Sequence, residues 1–334
     1  MPDSATPVGV LIAQLGTPEA PTPGALRTYL REFLTDRRVI DLNPLTWWPI
    51  LYLFILTRRP ARSARLYERI WTEAGSPLLV HSRAQQKGVQ TRLGDGYRVI
   101  VGMRYGKPGI DAAMRQFADQ GIDRVVVLPM FPQFSCSTTG SIYDAVTQAA
   151  FDRRRRMPTI RFVPPYFAHA DYIDSLRVII EEQLQAVGQV PDRFLITFHG
   201  IPRRYADEGD PYRDHCLRTG QLLAEALGLQ PEQWVQGFQS RFGKEEWLQP
   251  YTEDLLAALP AEGVQTIMAA CPGFTADCLE TLDEIGHEGA ATFREVGGAE
   301  LHLAPCLNAH PRWLDAMASI IRSEACGWTD GDSR

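Results

Sequence analysis

The chain alternates short apolar runs, rich in β-branched residues, with longer stretches of helical periodicity. The runs are VGVLIA from Val8, YRVIVGM from Tyr97, RVVVLPM from Arg124, TIRFV from Thr159, RFLITF from Arg193, QWVQGF from Gln233, VQTIMAA from Val264 and ELHLA from Glu300. Near-continuous apolar strands separated by helices belong to parallel sheets covered on both faces. Eight of them predict an α/β protein of two similar doubly wound domains, each with a mainly four-stranded parallel sheet and with a cleft between the two. The helix-disfavouring pair Pro164-Pro165 marks the crossover. Residues 1–164 are expected to form the first domain, with residues 306–334 returning to it through a last helix at about 311–325. Residues 165–305 are expected to form the second.

In open α/β sheets, ligands bind beyond the carboxyl ends of the strands. The residues there are Gln14-Leu15-Gly16-Thr17-Pro18 after the first run, Arg104-Tyr105-Gly106 after the second and PQFSCSTTGS from Pro132 after the third. After the fifth, sixth and seventh come His199-Gly200-Ile201-Pro202, Gln239-Ser240-Arg241 and Cys271-Pro272-Gly273-Phe274. Polar, aromatic and glycine residues thus gather where this fold places a ligand.

Residues 45–56 read LTWWPILYLFIL and are followed by Thr57, Arg58 and Arg59. Twelve residues are too few to span a bilayer as a helix, which takes about 20, and Pro49 is expected to interrupt any helix here. Paired tryptophans, a tyrosine and adjacent arginines suit an interfacial anchor. They equally suit a greasy ligand pocket or a buried core helix.

Of 334 residues, 45% are hydrophobic and 22% charged, with a formal net charge of -6, which argues against nucleic acid as a partner. The one dense basic block, Arg153 to Arg156, reads as a solvated helix end. The six cysteines, Cys136, Cys216, Cys271, Cys278, Cys306 and Cys326, form no C-x-x-C pair. They predict reduced thiols in a cytoplasmic setting rather than a disulfide framework. The N-terminus shows no secretory pattern. Neither G-x-x-x-x-G-K-[ST] nor G-x-G-x-x-G is present, which sets nucleotide binding aside.

Two constellations carry chemistry. His199 stands at a strand end, where an imidazole suits proton abstraction near neutral pH; the bland alternative is a histidine hydrogen-bonded at a strand terminus. Glu280, Glu284 and Glu288 follow at i, i+4, i+8, which places three carboxylates on one helix face. Asp277 extends the row backward. A solvated acidic face is the plainer explanation, but the row begins at the mouth of the expected cleft, and hard oxygen ligands suit a transiently held divalent cation. Gly286 and Gly289 weaken the helix and favour an irregular turn there.

These residues together resemble the ferrochelatase family over nearly the whole chain, from QLGTP at Gln14 to LNAHP at Leu307. The most specific matches are PQFSCSTTGS from Pro132, TFHGIP from Thr197, FQSRFG from Phe238 with WLQP from Trp247, and FTADCLETLDEI from Phe274. The resemblance implies a chelatase-like fold and insertion of Fe²⁺ into protoporphyrin IX to give protoheme, late in heme biosynthesis. It places the catalytic, metal-contacting pair on His199 and Glu280, and a proton or metal path on Asp277, Glu284 and Glu288. Cys278 stands where many relatives carry His. The porphyrin contacts fall on Leu15, Leu42, Trp47, Leu51, Arg59, Arg62, Ser76, Leu78, Arg104, Tyr105, Phe131, Ser135, Ser240 and Phe274. Residues 42–58 become an apolar lip over the pocket that also touches a membrane surface, so the expected location is cytoplasmic, peripheral on the inner face of the plasma membrane. Some relatives hold a [2Fe–2S] cluster with one ligand at Cys136; it needs four thiolates and the tail here offers Cys326 alone, so no cluster or other cofactor is expected. The partners expected are protoporphyrin IX and ferrous iron, in a monomer or homodimer.

Insertion requires the ring to lose two pyrrole protons and gain a cation, and a ring held puckered exposes its nitrogens. His199 is expected to take the protons, with the carboxylate row serving proton or iron traffic. Two rivals stand beside this reading. One is a chelatase of the same fold acting on a more carboxylated ring, against which the Trp47-Trp48 segment argues. The other is a non-catalytic porphyrin carrier, which would need no acidic row.

Overall fold

The computed structural model describes residues 6–152 and 157–328, so the Arg153 to Arg156 block lies outside the described residues. It contains two four-stranded sheets, parallel throughout. The first comprises β1 (Val8–Thr17), β2 (Tyr97–Gly106), β3 (Arg124–Pro129) and β4 (Thr159–Phe162), in the order β2-β1-β3-β4. The second comprises β5 (Arg193–His199), β6 (Trp234–Gln239), β7 (Thr266–Ala270) and β8 (Glu300–Leu303), in the matching order β6-β5-β7-β8.

The strands form where the sequence concentrates apolar residues because both faces of each sheet are covered. In the first, Leu11, Val125 and Val127 pack with Ile110, Phe117 and Ile142 from flanking helices. In the second, Leu195, Ile267 and Ala269 pack with Leu256 and Phe293. The topology also fixes where chemistry can sit. From β5 the chain forms its neighbour β6 on one side and then β7 on the other, so the carboxyl ends of β5 and β7 flank a switch point, where this class of sheet binds ligands. His199 ends β5, and the segment leading to Glu280 follows β7.

The chain divides into two compact units. Of the described residues, one holds 6–131, 136–152, 157–164 and 314–328, the other 132–135 and 165–313. Residues 306–313, expected with the first unit, group with the second. Cys306 N–H donates to Asp277 Oδ1 at 3.3 Å, Arg312 pairs with Asp171 and Asp174, and Trp313 packs on Tyr166 and Tyr172. Residues 132–135 join them because the Gln133 amide donates to Thr219 Oγ1 at 2.9 Å and Ser135 Oγ donates to Asp210 Oδ2 at 2.9 Å.

The greasy segment corrects the expectation at Pro49. The chain is helical from Pro44–Ile50 through a π-turn at Leu51–Ile55 into Leu56–Ile70, with Pro49 inside the first piece. A wider turn follows just past the proline, so the helix continues with a local irregularity rather than ending there. A second proline, Pro60, is also accommodated: it leaves the Leu56 carbonyl without an N–H four residues on, and Arg27 Nε donates to that oxygen at 3.0 Å. Nor is the segment a plain core helix. Trp47, Leu51 and Leu56 are buried, while Leu45 is 83% and Leu53 66% exposed, with Trp48, Ile50, Tyr52 and Phe54 exposed as well. Among the described residues, no helix is long and apolar enough to cross a membrane.

Candidate active site

His199 is half-buried at the end of β5, in register with Gln239 of β6. Gly200 turns the chain away immediately after it. A Cβ there would lie 3.1 Å from both the Gln239 carbonyl and the Trp247 ring, so only glycine passes this point without a shift. His199 Nδ1 lies 2.6 Å from the Gly200 carbonyl. A carbonyl can only accept, so Nδ1 carries the proton, and in the neutral ring the lone pair is on Nε2. Nε2 makes no hydrogen bond among the described residues. The Trp247 ring lies 6.2 Å away, tilted, as an apolar wall.

The irregular helix expected from Gly286 and Gly289 is a π-helix, Glu280–Gly289. Its buried positions include Thr281, Ile285 and Gly289, a four-residue repeat suited to the wider turn. A Cβ on Gly289 would meet the Glu284 carbonyl and Leu256 Cδ1, each at 3.3 Å. Glu280, Glu284 and Glu288 share that repeat one position earlier, so they run along the edge of the buried row. Glu280 and Glu284 are half-buried and Glu288 is exposed, which gives the row an inner and an outer end.

Burial pushes the Glu284 carboxyl above the ordinary carboxylate range, and the neighbouring Glu280 charge adds to this. The Ser240 hydroxyl, the charge of His199 and the Gln239 amide pull the other way. Ser240 Oγ donates to Glu284 Oε2 at 2.6 Å, and Ser240 adopts φ 67°, a left-handed backbone rare outside glycine. The hydroxyl expected at a porphyrin thus donates to a carboxylate. Cys278 is buried; burial, and then the nearby Glu280 carboxylate, push its thiol well up.

Asp277 is buried and held by three donors: Asn308 Nδ2 at 2.6 Å, Thr281 Oγ1 at 3.1 Å and the Cys306 N–H. Its own N–H donates back to Asn308 Oδ1 at 2.9 Å. The arrangement pins the start of the π-helix, where a carboxylate also suits the helix dipole. Phe274 is half-buried against the core of this unit, and Ser135 is fully buried. Among the described residues, no group of three or more His, Cys, Asp and Glu side chains is arranged to hold a metal ion.

The other sites expected of the chain lie in the first unit. Leu15 is half-buried, Leu78 buried, and Ser76 is buried and accepts Thr17 Oγ1–H at 2.7 Å. Leu51 is fully buried, and Trp47 is buried with its Nε1–H donated to the Leu34 carbonyl at 2.7 Å. Leu42 and Arg62 are exposed, Arg59 is half-buried, and Phe131 packs against the core. Arg104 and Tyr105 both converge on Asp36. Arg104 Nη2 lies 2.5 Å, Tyr105 OH 2.7 Å and Ser141 Oγ 2.5 Å from the same Asp36 Oδ2. Burial alone would raise Asp36, but the Ser141 and Tyr105 hydrogen bonds, with the Arg38 N–H and the Arg104 charge, hold it below its ordinary range.

Sequence reasoning missed Asp36 and Gln239. Asp36 left one signal: it caps the C-terminus of the helix Pro23–Thr35, where the dipole disfavours an anion, so a cation had to be nearby. Gln239 left only its place after a strand.

The ferrochelatase family model matches residues 7–325. Curated ferrochelatases of Alcanivorax borkumensis and Chromobacterium violaceum are 48% and 45% identical, covering 96% and 98% of this chain and 95% and 91% of their own. Solved structures share the fold at low identity. SirB from Bacillus subtilis with Fe³⁺ has a TM-score of 0.59 at 11% identity, covering 96% of this chain and 97% of its own. CbiX, the terminal enzyme for siroheme biosynthesis in denitrifying bacteria, has 0.51 at 15%, covering 94% and 98%. The chain belongs to the ferrochelatase family.

Proposed function

We propose that the protein inserts ferrous iron into protoporphyrin IX, releasing two protons and yielding protoheme. Family membership supports the reaction, and one observation within the second unit supports its mechanism: an imidazole held on one nitrogen beside a carboxylate with raised proton affinity. His199, fixed through Nδ1, presents Nε2 to the pyrrole N–H groups and takes their protons in turn. The charge of His199 is felt at Glu284, which supports reading Glu284 as the next acceptor for a proton received by the imidazole. Glu280 at the inner end and Glu288 at the outer end extend the row, which serves cation traffic, protons outward or Fe²⁺ inward. In the first unit, Arg59 and Arg62 supply cations for the two carboxylate arms. Arg104 is already paired with Asp36 and acts by holding its own surroundings.

We propose that the chain holds no iron–sulfur cluster: such a centre takes four thiolates, and Cys216, Cys271, Cys278 and Cys306 are buried among the described residues. The exposed apolar side chains within residues 42–58 form the face that meets a membrane surface, on the cytoplasmic side.

Anaerobic incubation with Fe²⁺ and protoporphyrin IX tests the reaction. The heme absorbance spectrum should replace that of the free porphyrin. Tight porphyrin binding with no spectral conversion would instead support a carrier.

A further inference from the structure

Gln239 closes β6 and touches both the His199 turn and the start of the carboxylate helix. Its backbone carbonyl accepts the Gly200 N–H at 2.8 Å, on the turn that carries His199. Its side-chain Nε2–H donates to the Glu280 carbonyl at 2.8 Å, at the first residue of the π-helix. Its Oε1 accepts the Thr197 hydroxyl at 3.1 Å, and Thr197 is paired with the Thr252 hydroxyl at 2.7 Å. Gln239 is only 4% exposed, and Thr197 and Thr252 are buried too. Ser240, the next residue, accepts a left-handed backbone and spends its hydroxyl on Glu284.

A buried amide is costly unless its polar atoms are paired, and a non-glycine residue at positive φ costs of order 1–3 kcal/mol. An apolar side chain followed by glycine would end this strand more cheaply. What the costly pair achieves is registration: one dipeptide fixes the His199 turn and the carboxylate helix to the same strand end. We propose that Gln239 and Ser240 are positioning residues for metal insertion, holding Glu280 and Glu284 in register with His199. The inference rests on the reading of His199 and the carboxylate row given above. It also places Ser240 on the carboxylate rather than on the porphyrin.

Two substitutions test it. Ser240→Gly removes the hydroxyl and relieves the backbone, so a purely structural residue would give a protein at least as stable and fully active. The expected result is an unchanged or raised Tm with kcat lowered about 10–100-fold, the usual cost of losing a group that orients a ligand, and porphyrin KM within about twofold. A kcat within about twofold of the parent would overturn the proposal, as would a raised porphyrin KM at unchanged kcat, which would return Ser240 to the ring. Gln239→Met keeps the volume and removes both amide bonds. If it folds, it should lose kcat to a similar degree, and combination with Glu284→Gln should cost less than the product of the two single losses; full multiplicative loss or a parental kcat overturns the role of Gln239. If it does not fold, the Ser240→Gly result decides. His199→Ala is run alongside. Retained turnover there removes the underlying reading, whereas loss of turnover with a fully active Ser240→Gly removes this inference alone.

Discussion

The two sheets have one strand order, and each holds a saturated carboxylate near its carboxyl end, Asp36 in the first and Asp277 in the second, but only the second adds an unsaturated pair beside it. In the first unit, Asp36, Arg104, Tyr105 and Ser141 consume one another: a single carboxylate oxygen takes three donors. In the second, His199 is held through Nδ1 alone, its Nε2 making no hydrogen bond among the described residues, and Glu284 sits where burial raises its affinity for a proton. The scaffold and the saturated carboxylate are common, and the unsaturated pair is not. A saturated cluster fixes shape, since each partner is hard to remove. An unsaturated one can accept and release protons, since each state costs little more than the other. The insertions differ as well: residues 18–96 separate β1 from β2, against residues 200–233 between β5 and β6, and the longer one carries the apolar helices.

The sharpest way to break this comparison is to remove the imidazole. His199→Ala should lower kcat by about 10²–10⁴-fold, the usual worth of a positioned general base, while porphyrin binding measured by fluorescence quenching stays close to the parent. Unimpaired turnover would mean the unsaturated end is not the reactive one.

Next in size are the carboxylates. Glu280→Gln, at the half-buried inner end, should slow turnover by about 10–100-fold, and Glu288→Gln, at the exposed end, by much less. Equal and negligible effects would make the row a solvated face. The pH profile sharpens this. Below its raised pKa, Glu284 is protonated and cannot accept from His199, so kcat should fall as pH falls, with a midpoint above the ordinary glutamate value of about 4.3. Glu284→Gln should remove that limb from what activity remains.

The saturated end should answer in stability. Asp36→Asn leaves the Arg104 guanidinium without its counter-charge and should cost about 1–3 kcal/mol in urea unfolding at pH 7. The folded pKa of Asp36 is depressed, so the folded state prefers the ionised form; its contribution is present above the ordinary aspartate value of about 3.9 and lost as pH falls through the folded value. The gap between parent and variant should therefore narrow towards pH 3. A gap that widened on acidification would contradict the network.

Much of this was legible because it is written locally. The eight apolar runs are the eight strands, since a strand buried on both faces leaves little choice of residue type, and the position of His199 after such a run marked it. Two closely spaced glycines announced the unusual helix. The saturated cluster was hidden because Asp36 finds its partners 68 and 105 residues away, at Arg104 and Ser141. Pro49 misled because proline in a helix is a cost and not a prohibition: here the helix runs on through a wider turn just past it. Residues 306–313 were misplaced for a similar reason: their allegiance is set by Asp277, Asp174 and Tyr172, contacts with no local trace.

The smallest effect on stability is expected at the exposed leucines of the longer insertion, whose apolar helices set it apart from residues 200–233 of the second unit. Leu45 and Leu53 are exposed, so Leu45→Ser and Leu53→Ser surrender almost no buried contact and should each shift unfolding by no more than about 0.5 kcal/mol. Leu51, two residues from Leu53 on the same helical run, is wholly buried, and Leu51→Ala should cost about 2–5 kcal/mol. The exposed leucines should register elsewhere. Burying one leucine is worth about 1.5–3 kcal/mol, so partial insertion of the two into an acyl boundary should make the double variant about tenfold weaker in sedimentation with vesicles containing phosphatidylglycerol. If vesicle binding is unchanged while Leu51→Ala unfolds the protein, the exposed face has another use and the membrane assignment falls. If all three substitutions destabilise alike, the segment is simply core, and the insertion does not set the first unit apart.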